Sequence, residues 1–133
     1  MASFDERLNE LADGTGLSIG ALVGGKAKLS FQCKRETQTL WIVPYGDGIW
    51  EFSCVSVVVF PTLEEFPQPI VASTLAQNSK NKRGFWCIED LNGRFALEYM
   101  HNIPEYLLDS QEFNTICWNV VTMVDNLESA ILS

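Results

Sequence analysis

Apolar residues recur at helical spacing near both ends of the chain and alternate with polar ones in between. In "SFDERLNELADG", Phe4, Leu8 and Leu11 fall three and four residues apart and mark one face of a helix. Ser3 with Glu6 makes a capping box, and Gly14 and Gly16 end the helix. "LSIGALVGG" is apolar but glycine-rich and reads as a packed loop. The period then changes to two. "KAKLSFQCK" sets Ala27, Leu29, Phe31 and Cys33 on one side and Lys26, Lys28, Ser30, Gln32 and Lys34 on the other, a half-buried strand. "TQTLWIVPY" and "IWEFSCVSVVVF" give two more strands, joined by a tight turn at "GDG" and closed by Pro61. Both are apolar on two faces near Trp41–Val43 and Val55–Phe60. One face of the sheet should therefore carry helices, and the other should meet something else.

A second helix carries Pro69 in its first turn, with Ile70, Val71, Thr74 and Leu75 as a short apolar face. "GFWCIEDLNGRFALEYMH" reads as two strands around a turn at "DLNG". Two registers fit: a two-residue Asn92-Gly93 turn pairs Cys87 with Glu98, whereas a glycine bulge pairs Cys87 with Leu97. The pattern leaves open whether Trp86 points in or out. The last helix starts after Asp109, with Glu112 completing a cap, and Phe113, Ile116, Cys117, Val120, Val121, Val124, Leu127 and Ile131 keep helical spacing. The order α-β-β-β-α-β-β-α predicts an α+β fold: a five-stranded antiparallel sheet with helices mainly on one face, in a single domain over residues 1–133.

Charge narrows the function. Residues 1–83 carry nine acids and eight bases, while residues 84–133 carry eight acids and the single base Arg94. This acidity disfavours nucleic acid and anionic membrane surfaces, both of which attract basic proteins. "KNKRGFW" joins three bases to two aromatics, but it is a short patch in an acidic chain and reads as a solvated loop. The start of the sequence lacks a basic, then apolar, leader pattern, so a cytoplasmic protein is expected. Cys33, Cys54, Cys87 and Cys117 form no CxxC pair and read as reduced core thiols.

Candidate chemistry is sparse. His101, the one histidine in the chain, reads as a solvated strand-end residue; neither hairpin register puts Cys87 opposite it, so no thiolate–base pair is evident. Glu89, Asp90, Glu98 and Glu105 fall in one region and read as a solvated face, although Glu98 or Glu105 with His101 is the arrangement a cryptic enzyme would use. No catalytic residue, metal or cofactor is expected. Trp118 lies roughly 140° round the last helix from Phe113, off an apolar stripe running from about 280° through zero to 80°. It is either covered within the chain or an interface anchor.

"VVVFP" at 57–61, "LAQNSKNKRGFWCIEDLNGRFALEYMHNIP" at 75–104 and the long helix from Ser110 resemble the type III secretion chaperone-like fold. Within it they resemble YbjN-like proteins, including small cyanobacterial members. The resemblance carries no catalytic motif. It implies a small acidic homodimer that binds another, unidentified protein rather than turning over a substrate. Trp41, Trp50, Trp118 and Met123 are the residues expected to make partner or dimer contacts. The alternative is a small-ligand-binding regulatory protein with its site between sheet and helices.

Overall fold

A computed structural model describes residues 3–132. Helix α1 (Phe4–Ala12) begins at the expected capping box: the Glu6 N–H donates to Ser3 Oγ at 3.2 Å, and the Ser3 N–H to Glu6 Oε1 at 3.5 Å. Leu8 and Leu11 are buried, and Phe4 sets its ring edge-on to Trp50. The strands are β1 (Ala21–Val23), β2 (Lys26–Gln32), β3 (Thr37–Pro44), β4 (Ile49–Phe60), β5 (Phe85–Asp90) and β6 (Phe95–Pro104). Helix α2 (Gln68–Asn78) lies between β4 and β5, and α3 (Ser110–Leu132) follows β6.

The sheet is antiparallel throughout, in the order β1-β2-β3-β4-β6-β5. It has six strands rather than the expected five. The additional strand, β1, comes from the segment read as a loop. Gly24 and Gly25 both hold positive φ (59° and 80°), and this two-residue turn lets Ala21–Val23 pair back onto β2. At the other edge, Asn92 and Gly93 also take positive φ (55° and 90°), which selects the two-residue turn and pairs Cys87 with Glu98. Trp86 consequently points inward, 4% exposed, with its Nε1–H donating to Gln77 Oε1. Beside it, the Asn78 side chain accepts the Trp86 N–H at 2.6 Å and donates to the Trp86 carbonyl at 3.0 Å.

One face of the sheet carries Ala27, Leu29, Leu40, Ile42, Phe52, Cys54, Leu97 and Tyr99, and these pack with α1 and α3 into the core. Helix α3 starts where expected, with the Glu112 N–H donating to Asp109 Oδ1. Phe113, Ile116, Cys117, Val120, Val121 and Val124 are buried, whereas Leu127 and Ile131 are half-buried. Two acids join the stripe. Asp125 is 2% exposed and Glu128 1%. Asp125 accepts from the backbone N–H groups of Arg35 and Glu36 and from the Gln38 amide. Glu128 Oε1 accepts from Arg35 and Gln38, each at 2.9 Å. Its Oε2 accepts the Val57 N–H at 2.8 Å.

Val57 sits where the ladder slips. Val55 pairs with Glu98 and Val59 with Ala96, so Ser56, Val57 and Val58 stand opposite Leu97 alone. An irregularity of this kind bends its strand and leaves backbone groups without cross-strand partners. Glu128 takes up one of them. Removing the carboxylate would strand the Val57 N–H and leave Arg35 paired with the more exposed Glu36. Glu128→Ala is expected to cost about 3 kcal/mol in urea unfolding, and Glu128→Gln, which keeps one acceptor, clearly less.

Candidate binding face of the sheet

The opposite face of the sheet carries no helix. Side chains opposite one another in antiparallel pairs share a face, so the register places Trp41, Val43, Glu51, Ser53, Val55, Cys87, Glu89, Glu98 and Met100 together there. The face is hollow. Val23 from β1 and Leu91 from the β5–β6 turn line the same open trough of about 530 Å³, whose floor is Trp41, Val43, Ser53 and Val55. One wall is basic: Lys26 lines it, and Lys28 Nζ stands 5.8 Å from the Trp41 ring centroid. Glu51, Glu89 and Glu98 line the other.

Glu98 is the unusual member. It is 2% exposed although no helix covers it, and it accepts from the Cys87 thiol at 3.5 Å. Burial, with the hydrogen bond and charge of Glu89 and the more distant charge of Glu51, pushes its carboxyl up to about 8, against a smaller opposing effect of the Cys87 hydrogen bond. Burial also raises Glu51, partly offset by the Tyr45 hydroxyl, which donates to it at 3.2 Å. Burial and the Glu98 charge push the Cys87 thiol up to about 12, so it is held protonated and is a poor nucleophile.

The grouping of acids therefore differs from the expected solvated face. Glu98 is buried, and Glu89 stands beside it. Asp90 turns away to accept the Gly93 N–H, and Glu105 pairs with Arg7 on α1. His101 is not a solvated strand-end residue. Strand β6 runs on to Pro104, which puts His101 opposite Phe52 on the helix-covered face, half-buried, with Nδ1 unpartnered. Burial lowers its basicity, and Glu98 lies on the other face, so the two are not assembled as acid and base. Cys54 and Cys117 are buried; Cys33 and Cys87 are only half-buried.

The four expected contact residues separate. Trp41 lies on the trough floor. Trp118 is 39% exposed on α3, its ring edge-on to Phe31 at 4.8 Å, and Met123 is half-buried against the core. Trp50 is 4% exposed, its ring against Phe4, so its surface is taken up by the core. Val43 and Val55 were visible in the sequence as apolar residues on the second strand face. The approach of Val23 depended on a strand that the glycines concealed.

No family model matches the sequence, and no curated protein does. The fold is similar to that of a chain in the structure of the HopA1–SchA chaperone–effector complex. The TM-score is 0.70 at 8% identity, over 95% of this chain and 93% of that one. At such identity the likeness is one of architecture: an α+β domain with the same layout along almost the full length. Among the described residues no helix is long and apolar enough to cross a membrane.

Glu98 gives the fold a pH signature. Its folded value near 8 exceeds the ordinary 4.5, so between those limits the native state holds a proton that the unfolded chain releases. Stability is expected to fall as pH rises through this window, by an amount on the order of a few kcal/mol. Glu98→Gln should flatten the slope, measured as urea midpoints from pH 5 to 9. Asp125 acts in the opposite direction. Burial pushes its carboxyl up, but the Arg35, Gln38 and Glu36 hydrogen bonds outweigh that and hold it low, so its contribution is lost only in acid.

Proposed function

We propose that the chain is a non-enzymatic, chaperone- or adaptor-like protein that acts as a homodimer and binds a segment of another, unidentified protein. The observation that carries the reading is a sheet with helices on one face and a hollow, partly apolar, helix-free surface on the other. Globular sheets seldom leave such a face in water without a partner for it. The architecture shared with a chain of a chaperone–effector complex supports the same reading, and the resemblance of the sequence to YbjN-like, secretion-chaperone-like proteins agrees with it. Trp41, on the floor of the hollow, is the leading partner contact, with Trp118 and Met123 on α3 as a second contact area.

Helix α2 supports the dimer. "QPIVASTLAQN" has no charged residue, yet Thr74 alone among its residues is buried. The α2 face expected to pack inward does so only in part: Ile70 and Val71 are half-buried, and Leu75 is 63% exposed. Leu63, just before the helix, is 52% exposed. An uncharged helix flanked by exposed leucines offers an apolar contact surface. A second copy across a two-fold axis would cover it symmetrically.

A small-ligand regulator is the second reading, because about 530 Å³ lies within the range of metabolite pockets. The trough is open along its length, whereas such pockets enclose most of their ligand, so the protein-binding reading is the stronger. A metabolite raising the melting temperature in a thermal-shift screen would reverse that order.

Sedimentation equilibrium at micromolar concentration is expected to give twice the chain mass of 14.9 kDa. Leu75→Glu should return the protein to the mass of one chain with its circular dichroism unchanged. A wild type that sediments as a single chain would remove the dimer from the reading.

A further inference from the structure

We infer that the helix-free trough takes an extended segment of a partner protein that presents apolar side chains to Trp41, Val43 and Val55 and a lysine or arginine to Glu51, Glu89 and Glu98. The inference deepens the protein-binding reading and rests on it. The occupant follows from the lining. Trp41, Val43, Val55, Val23 and Leu91 supply apolar surface from one edge of the sheet to the other. Six strands at about 4.8 Å spacing span roughly 24 Å, the reach of about seven extended residues. A peptide lying across them is therefore long enough to meet both walls.

The walls differ in charge, and that selects among occupants. Lys26 and Lys28 flank the β2 side, while three carboxylates gather on the β4–β6–β5 side. A second copy placed face to face about an axis across the strands would set carboxylates against carboxylates. About an axis along them it would set two lysines against three carboxylates and leave one acid of each copy unmatched. Self-association therefore suits the trough less well than a segment that brings its own cation. Nucleic acid meets the same repulsion. A cation held at the carboxylate side of an otherwise apolar segment meets attraction instead and supplies what the carboxylates lack. Glu98 accepts from a thiol, a weak donor, and otherwise shares a hydrogen bond with Glu89, a like group. An ammonium or guanidinium would let Glu98 ionise.

That exchange has a signature in solution. The groups facing Glu98 are Cys87 and Glu89 on β5 and Glu51 on β4, with Lys26 on β2 and Tyr45 beyond β3 acting on Glu51. Burial and the neighbouring carboxylates keep Glu98 protonated at neutral pH. An incoming cation must displace that proton, so binding tightens as pH rises.

The test is selection of random eight-residue peptides, displayed on phage, against the protein, followed by titration of fluorescein-labelled synthetic copies read by fluorescence anisotropy. The recovered pool is expected to be enriched in lysine and arginine among apolar residues. Affinity should drop at least tenfold for the combined Glu51→Gln, Glu89→Gln, Glu98→Gln variant and should rise severalfold from pH 6 to 8.5. Leu75→Glu should leave it unchanged. The Glu51→Gln, Glu89→Gln pair serves if the triple variant misfolds. A pool without cations, or one that binds the variants as tightly as the wild type, would overturn the inference and leave the protein-binding reading standing. A wild type that recovers no peptides would overturn both.

Discussion

The hydrogen bond from the Val57 N–H to Glu128 is the contact on which the rest of the structure depends. It joins the last turns of α3 to the irregularity in β4, the longest strand. The same carboxylate holds Arg35 and Gln38, and Asp125 one turn earlier holds the backbone that enters β3. The long helix is thus fixed to the sheet by directional bonds at one end and by apolar packing along the rest. Apolar contacts would allow α3 to rotate or slide by small amounts; bonds to named backbone N–H groups do not. They also make a bend in β4 affordable, since an N–H freed by the slip finds an acceptor inside the protein.

Most of the fold could be read from the sequence, because periodicity and capping are local. The capping box at Ser3 and Glu6, the two-face apolar strands and the start of α3 at Asp109 all rest on residues within a few positions of each other. The short strand β1 escaped because Ala21–Val23 is too brief for alternation to show, and its pairing depends on glycines that also suit a loop. The hairpin register needed the sign of one dihedral, which the composition of "DLNG" allows either way.

The candidate site was harder to read. Glu128 falls within the apolar stripe of α3 at helical spacing, a signal that was present in the sequence and pointed to a buried acid. Its purpose was hidden, since Val57 lies 71 residues away. Glu89 and Glu98 were seen as neighbours, but burial of Glu98 depends on how the whole sheet curls, and no window of sequence contains that. The histidine went the opposite way. It looked like an end residue and lies inside a strand that continues for three more positions.

The Asn78 side chain has a consequence beyond the packing of Trp86. By accepting the Trp86 N–H and donating to its carbonyl, it stands in for one residue of a seventh strand. An outer strand with bare amides is a template on which further copies can add without limit. With that position already occupied from within the chain, end-to-end growth through β5 is interrupted.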